Sequence, residues 1–257
     1  MNIDIELPKE FPKKNTVLAV GVFDGVHIGH RHLITRLSVE ANRNGYLAGV
    51  VTFKNHPASV LRPDFKPLYL TAINERMRLL KSLGPSFVIP IKFDKKLSKL
   101  SARQFIGLLK ERLRMRGLVI GPDFAMGHQR EGNAKVLSIL GQDMGFFLRV
   151  VTPFADKNGQ SVSSTTIRKS LIAGEVKRVE LQMGRSFALT GKVVKGAGRG
   201  KSLGFPTANI EPSQELAIPG DGIYATWANI SGQRYMAATS IGKRPTFGQN
   251  GHTIEAF

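Results

Sequence analysis

The stretch Val17-Leu18-Ala19-Val20-Gly21-Val22-Phe23-Asp24-Gly25-Val26-His27-Ile28-Gly29-His30 sets two imidazoles three residues apart, just past an apolar β-branched run. Residues at i and i+3 share a helix face, so both rings can address one ligand. Gly29 between them carries no side chain, which lets a bulky anion approach the backbone. The first turn of a helix offers unpaired N–H groups and the positive end of its dipole, and phosphate suits both. Strand, tight turn, His-x-Gly-His and helix start together describe a triphosphate site. The commoner fate of two histidines at a helix start is a solvated pair or a capping feature. Zinc would need further ligands at suitable spacing. Cysteine is absent and His32, His56, His128 and His252 are scattered, so histidine makes a poor metal centre here.

A second group of candidates is Val162-Ser163-Ser164-Thr165-Thr166-Ile167-Arg168, hydroxyls at a helix start with a guanidinium one turn in. Such hydroxyls cap the helix or bind phosphate, and the residues alone leave both open. Arg168 can fork onto a pair of phosphate oxygens. A third is Lys195-Gly196-Ala197-Gly198-Arg199-Gly200-Lys201, three glycines and three basic residues whose N–H groups can cradle phosphate. It is no Walker A motif, because Gly200-Lys201-Ser202 opens no helix and runs into Leu203-Gly204-Phe205-Pro206. Glu255, taken alone, is an exposed strand carboxylate.

Periodicity gives the scaffold around these groups. Residues 16–150 alternate short apolar runs with helical patterns. Strands are expected at Val17–Phe23, Ala48–Phe53, Phe87–Ile91, Gly117–Ile120 and Phe146–Val150, and helices at Arg31–Arg43, Ile73–Ser82, Ser101–Arg114 and Asn133–Gln142. Ser101 with Gln104 predicts a capping box. This alternation implies a parallel, doubly wound α/β sheet with ligands at the C-terminal strand ends. The loops Thr52–Pro57 and Gly121–Arg130 leave such ends, which raises them above ordinary Gly-rich connections. A helix at Ile172–Met183 closes this half. Beyond it Phe187–Val194, Gly222–Ile230 and Tyr235–Ile241 are strand-like, with Ser231-Gly232-Gln233 as a hairpin connection. Short strands with glycine turns suggest a small antiparallel barrel. The expected domains are residues 1–184 and 185–257.

At 257 residues the chain suits one large domain or two ordinary ones, and 42% hydrophobic residues allow a real core. No run approaches the ~18 apolar residues of a membrane span, and the polar N-terminus shows no secretory signal. Zero cysteines exclude disulfides, which fits a cytoplasmic protein. The formal charge is +18; residues 1–184 carry 29 Lys+Arg against 15 Asp+Glu, and residues 185–257 carry 8 against 4. Such a field favours polyanions. The clusters Lys92, Lys95, Lys96, Lys99, Arg103 and Lys110, Arg112, Arg114, Arg116 lack the interleaved aromatics of single-strand binding. A basic surface serving anionic nucleotides is therefore preferred to nucleic-acid binding.

Gly-Val-Phe-Asp-Gly-Val-His-Ile-Gly-His resembles the signature of the HxGH nucleotidyltransferase superfamily, and specifically of bacterial bifunctional riboflavin kinase/FAD synthetases. Ser-Ser-Thr-x-Ile-Arg is similar to the superfamily's second signature, which lies ~130 residues further on and grips the triphosphate from the opposite side. Thr52-Phe53-Lys54-Asn55-His56-Pro57 and Gly121-Pro122-Asp123-Phe124-Ala125-Met126-Gly127 resemble family loops, with Met126 where an aromatic is usual and Asn133 where Asp is frequent. Gly204-Phe205-Pro206-Thr207-Ala208-Asn209 resembles the riboflavin kinase signature. Ile241-Gly242-Lys243-Arg244-Pro245-Thr246-Phe247-Gly248 is similar to a later one, with Ser240 replacing an asparagine, and Thr253-Ile254-Glu255 matches the segment that carries the kinase's general base.

The resemblance implies a Rossmann-like FAD synthetase (FMN adenylyltransferase) domain over residues 1–184 and a riboflavin kinase barrel over residues 185–257. It implies ATP as co-substrate, with riboflavin, FMN and FAD as substrates and products. His27, His30, Arg168 and Glu255 would be catalytic. Gly21, Phe23, Asp24, Gly29, Ser163, Ser164, Thr165, Gly198, Gly200 and Lys201 would bind ATP or phosphate, and His56, Asp123, Phe124 and Gly127 the flavin. Thr207 and Asn209 would hold Mg²⁺, which prefers hard oxygen ligands. Family members continue past Phe257 through a Leu-Tyr-Gly turn, a further strand and a helix. The barrel is accordingly expected to be truncated, Glu255 to lie on an open sheet edge, and kinase activity to be weak. The rival readings are an HxGH transferase of another substrate and a basic nucleotide- or RNA-binding module. Gly-Phe-Pro-Thr-Ala-Asn speaks against the first, since nicotinamide, pantetheine and glycerol-phosphate enzymes have no such barrel. The expected partners are small molecules, with no membrane; nucleic acid is disfavoured and a homo-oligomer left open.

Overall fold

The apolar run before the histidine pair forms β1 (Thr16–Gly21), whose first five residues are buried. Around it stand β2 (Leu47–Phe53), β3 (Phe87–Ile91), β4 (Met115–Ile120) and β5 (Phe147–Val150). They form one sheet in the order β3-β2-β1-β4-β5, every pairing parallel, with Val17 opposite Ala48 and Gly117. The computed structural model describes residues 6–8, 13–62, 64–154, 161–195, 206–213, 215–243 and 252–257. The chain divides into two compact units, Met1–Pro67 with Thr71–Ser164 and Leu68–Leu70 with Thr165–Phe257.

Side chains of β1 alternate between two cores, as the pleat requires. Val17 and Ala19 pack with Ile34 and Leu37 of α1 (Ile28–Arg43). α2 is the single turn Pro57–Leu61, and α3 (Ile73–Ser82) adds Leu80 to the same core. Leu18 and Val20 join the opposite core. There α4 (Lys95–Ser98) contributes Leu97, α5 (Ala102–Leu113) Phe105, Ile106 and Leu109, and α6 (Ala134–Met144) Leu137. Each fully buried aliphatic contributes about 1.5–3 kcal/mol, which fixes which face of each helix turns inward. Gly49 and Gly117 lie opposite Phe87 and Phe147, and a Cβ at either would fall within 2.3 Å of the partner's ring. The expected doubly wound sheet is what forms, and the predicted capping box of Ser101 and Gln104 is present.

The second unit differs from expectation in one helix. α7 (Ser164–Ile172) begins at the serine–threonine segment, as expected, while the helix expected over 172–183 is shorter, α8 (Val176–Met183). Gly174 at φ +76 turns the chain between them. A five-stranded antiparallel sheet comes next: β6 (Gly191–Val194), β7 (Ala208–Pro212), β8 (Gly222–Ile230), β9 (Gln233–Lys243) and β10 (His252–Ala256), in the order β6-β7-β10-β9-β8. Residues 187–190, expected to begin the first of these strands, are irregular. Ile230 pairs Gln233 across Ser231 (φ 50) and Gly232 (φ 86), the two-residue turn of positive φ that matches strand twist. Among the described residues the sheet is open, not closed into a barrel. Glu255 is not at its edge: β10 is central, hydrogen-bonded to β7 on one side and β9 on the other. The expectation of an exposed, half-paired strand there is corrected, because β7, which the sequence pattern did not reveal, supplies the missing neighbour.

Candidate functional site

In a doubly wound sheet, ligands sit outside the C-terminal strand ends where the order reverses, here between β1 and β4. The chain leaves β1 at that point through a tight turn. Phe23 (φ 52), Gly25 (φ 79) and Val26 (φ 40) all lie in the left-handed region, and Val26 is β-branched. Such backbone costs of order 1–3 kcal/mol per residue and collects at functional sites. Asp24 is buried and fastens the turn: its Oδ1 accepts from the Thr71 N–H at 3.2 Å, while Gly25 N–H donates to the Thr71 hydroxyl.

His27 is the residue before α1 and His30 lies in its first turn. Their rings stack with centroids 3.6 Å apart and planes 24° from parallel, and the Phe23 ring meets His30 edge-on at 5.3 Å. Two stacked imidazoles cannot both be charged at little cost. Burial, then His27, then Arg76 hold the His30 pKa well below 6.5, so His30 is neutral at pH 7. Gly29 plays a part beyond leaving room for an anion. A Cβ there would stand 3.2 Å from the His27 ring and 3.4 Å from the Val162 carbonyl, so the glycine also makes space for the imidazole.

Ser164 of the second signature meets the turn of the first. The Ser164 hydroxyl donates to the Asp24 carbonyl at 2.9 Å, across 140 residues of chain. Ser163 is half-buried, Thr165 exposed, and Arg168 half-buried one turn beyond Ser164 on α7. Gly21 ends β1, where a Cβ would crowd the Phe23 ring at 3.1 Å.

Two further loops leave the same end of the sheet. After β2, the His56 Nδ1 accepts from Ala58 N–H at 3.1 Å and caps α2, with its ring 5.2 Å from that of Phe65. After β4, Asp123 is exposed, Phe124 packs against the core, and Gly127 takes φ +80. A Cβ on Gly127 would fall 2.4 Å from the Ala102 nitrogen, so only glycine fits. Glu131 locks this loop by accepting from Ala102 N–H at 2.7 Å, and Asn133 caps α6, a task Asp performs equally well.

In the antiparallel sheet, Asn209 lies directly opposite Glu255, and Glu255 opposite Ser240. Partners in register share a face. A carboxylate, a carboxamide and one hydroxyl thus line up across three strands, and Thr207 lies just before β7. Their oxygens are the hard donors that Mg²⁺ accepts. Gly198, Gly200 and Lys201 lie outside the described residues, as do Arg244 to Gly248.

Thr71 and Arg76 were not anticipated, and Thr52 was read only as part of its loop; all three are buried beside the turn. Arg76 had a signal, since it falls with Ile73 and Leu80 on the apolar stripe of its helix. Nothing in the sequence marks Thr71.

Residues 9–166 match the FAD synthetase family and residues 183–257 the riboflavin kinase family. The chain is 35% identical over 237 residues to the bifunctional riboflavin kinase/FMN adenylyltransferase of Escherichia coli (strain K12), covering 91% of this chain and 75% of that one. The Bacillus subtilis (strain 168) protein of the same name is 32% identical over 235 residues, 90% and 73% of the two chains. A crystal structure of a macrolide-efflux protein from Streptococcus pneumoniae superposes with a TM-score of 0.86 at 29% identity, covering 96% of this chain and 80% of that one. That likeness carries the fold and not an efflux role; among the described residues no helix is long and apolar enough to cross a membrane. With both of its parts matched in series and such relatives along nine-tenths of its length, the chain belongs to the bifunctional riboflavin kinase/FMN adenylyltransferase family.

Proposed function

We propose that the turn after β1 carries adenylyl transfer from ATP to FMN, and that the Asn209–Glu255 row carries phosphorylation of riboflavin. One observation supports the first reading above the others: the Ser164–Asp24 bond joins a hydroxyl of the second signature to the turn that carries the stacked histidines. In that reaction an FMN phosphate oxygen bonds to the α-phosphorus of ATP, the bond to the bridging oxygen breaks, and pyrophosphate leaves. No covalent enzyme intermediate is needed, so positioning and charge stabilisation supply the catalysis. His27 and neutral His30 donate N–H to the α- and β-phosphate oxygens, and the free N–H groups of the first turn of α1 add to them. Arg168, with Ser163, Ser164 and Thr165, carries the second signature's contribution to the same phosphates. Phe23 acts as a wall for His30 and Asp24 as the fastener of the turn. His56, Asp123, Phe124 and Gly127 are proposed to receive FMN.

In the kinase reaction the ribityl 5′-hydroxyl of riboflavin bonds to the γ-phosphorus while ADP leaves. Glu255 takes the hydroxyl proton, which a carboxylate in hydrogen-bond reach can do as the bond forms. Thr207 and Asn209 would hold Mg²⁺, which supplies charge neutralisation at the phosphates when bound. The domain boundary is proposed at residue 184, after α8, and the location in the cytoplasm. Chromatography of the chain incubated with ATP, Mg²⁺ and either FMN or riboflavin tests both activities. FAD from FMN and FMN from riboflavin are expected; no FAD from FMN sinks the first reading, and no FMN from riboflavin the second.

A further inference from the structure

Arg76 has no part in the roles above, yet its side chain is among the most deeply enclosed, 1% exposed. A buried guanidinium is costly unless its donors are used. Here Nη1 donates to the Val22 carbonyl at 2.8 Å and Nη2 to the Lys54 carbonyl at 3.4 Å. The Thr52 hydroxyl donates to the same Val22 carbonyl at 3.0 Å. The carbonyl just upstream of the turn is therefore held twice, from β2 and from α3, by residues 30 and 54 positions away in sequence. Immediately after it the chain enters the left-handed region at Phe23, and again at Gly25 and Val26. Backbone of that kind persists only where its surroundings over-determine it, and released it would relax and carry His27 and His30 with it.

We propose that Arg76 is a positioning residue for adenylyl transfer: with Thr52 it clamps the Val22 carbonyl, and so holds the strained turn that sets where the histidine pair stands. The inference rests on the reading of this turn as the adenylyl-transfer site. The charge of Arg76 has its own consequence. The titratable groups acting on His30 are His27, from the residue before α1, and Arg76, from α3, and both disfavour its protonation alongside burial. A lysine at position 76 keeps the charge and loses the fork; a methionine loses both.

The full chain with Arg76→Met, Arg76→Lys and Thr52→Val provides the test, through kcat and KM for FMN between pH 5 and 8, with thermal melting to check folding. Displacing the histidines by ~1 Å lowers kcat about 10²-fold in Arg76→Met, while KM for FMN stays within about threefold. Arg76→Lys and Thr52→Val lose about tenfold each, as one of two clamps is weakened. The acid limb of kcat moves to higher pH in Arg76→Met alone. A folded Arg76→Met chain with kcat within twofold of its parent overturns the clamp. An acid limb unmoved in that variant overturns the effect given to the Arg76 charge on His30. Failure of all three variants to fold would also overturn the clamp, making Arg76 a residue of the core. A parent chain that forms no FAD contradicts the reading of the site itself, whereas an active parent with unaffected variants contradicts the clamp alone.

Discussion

Protonating His30 should cost the first unit stability, and the cost can be worked from its surroundings. Its Nδ1 is enclosed without a hydrogen-bond partner among the described residues, its ring lies against that of His27, and burial leads the causes that hold its pKa well below 6.5. The unfolded chain therefore binds a proton at this site where the folded chain does not. Stability contributed this way is present above the unfolded value and lost as pH falls through it. Between pH 7.5 and 5.5 an unfolded histidine goes from about one-tenth to about nine-tenths protonated, which costs about 1.4 kcal/mol, or a factor of ten. His30→Gln keeps an N–H donor and cannot titrate. Hydrogen exchange of the β1 amides reads the difference, because the opening that exposes β1 also exposes His30. Protection in the parent should fall about tenfold relative to His30→Gln over that interval, intrinsic exchange cancelling in the ratio. A ratio constant within a factor of two would refute the buried, neutral histidine.

His27→Ala should lower FAD formation ~10²-fold or more with little change in FMN affinity, as expected for the loss of one charge-stabilising donor; wild-type turnover in it would remove His27 from the chemistry. Glu255→Gln should cut riboflavin phosphorylation by ~10²-fold while FMN adenylylation is unchanged, because Glu255 and the histidine pair lie in different units; equal loss of both activities would contradict that separation. Gly127→Ala forces a Cβ onto the Ala102 backbone at positive φ, and should cost at least ~2 kcal/mol and ~5 °C in melting temperature. An unchanged melting curve would mean that the loop relaxes freely.

The parallel sheet was legible because its strands are buried on both faces and read as continuous apolar runs. The two signatures were legible too, but only as resemblance; their union through Ser164 and Asp24 depends on tertiary contacts across 140 residues that no local pattern encodes. Gly29 was read as access for an anion, and its closeness to the His27 ring required side-chain positions. The late start of α8 escaped because the turn at Gly174 (φ +76) is set by backbone conformation and not by an apolar period. β7 escaped for a different reason: Ala208-Asn209-Ile210-Glu211-Pro212 has little intrinsic strand preference, and its strand forms because β6 and β10 flank it. That hidden strand is what turns Glu255 from an edge residue into a central one.

The most direct test of the two-site account is a pair of initial rates on the same preparation of the full chain, FAD from FMN and FMN from riboflavin, each with ATP and Mg²⁺, in the parent and in the His27→Ala and Glu255→Gln variants. Loss of the first rate alone in His27→Ala and of the second alone in Glu255→Gln is the predicted pattern. A His27→Ala chain that still makes FAD at the parental rate would contradict it.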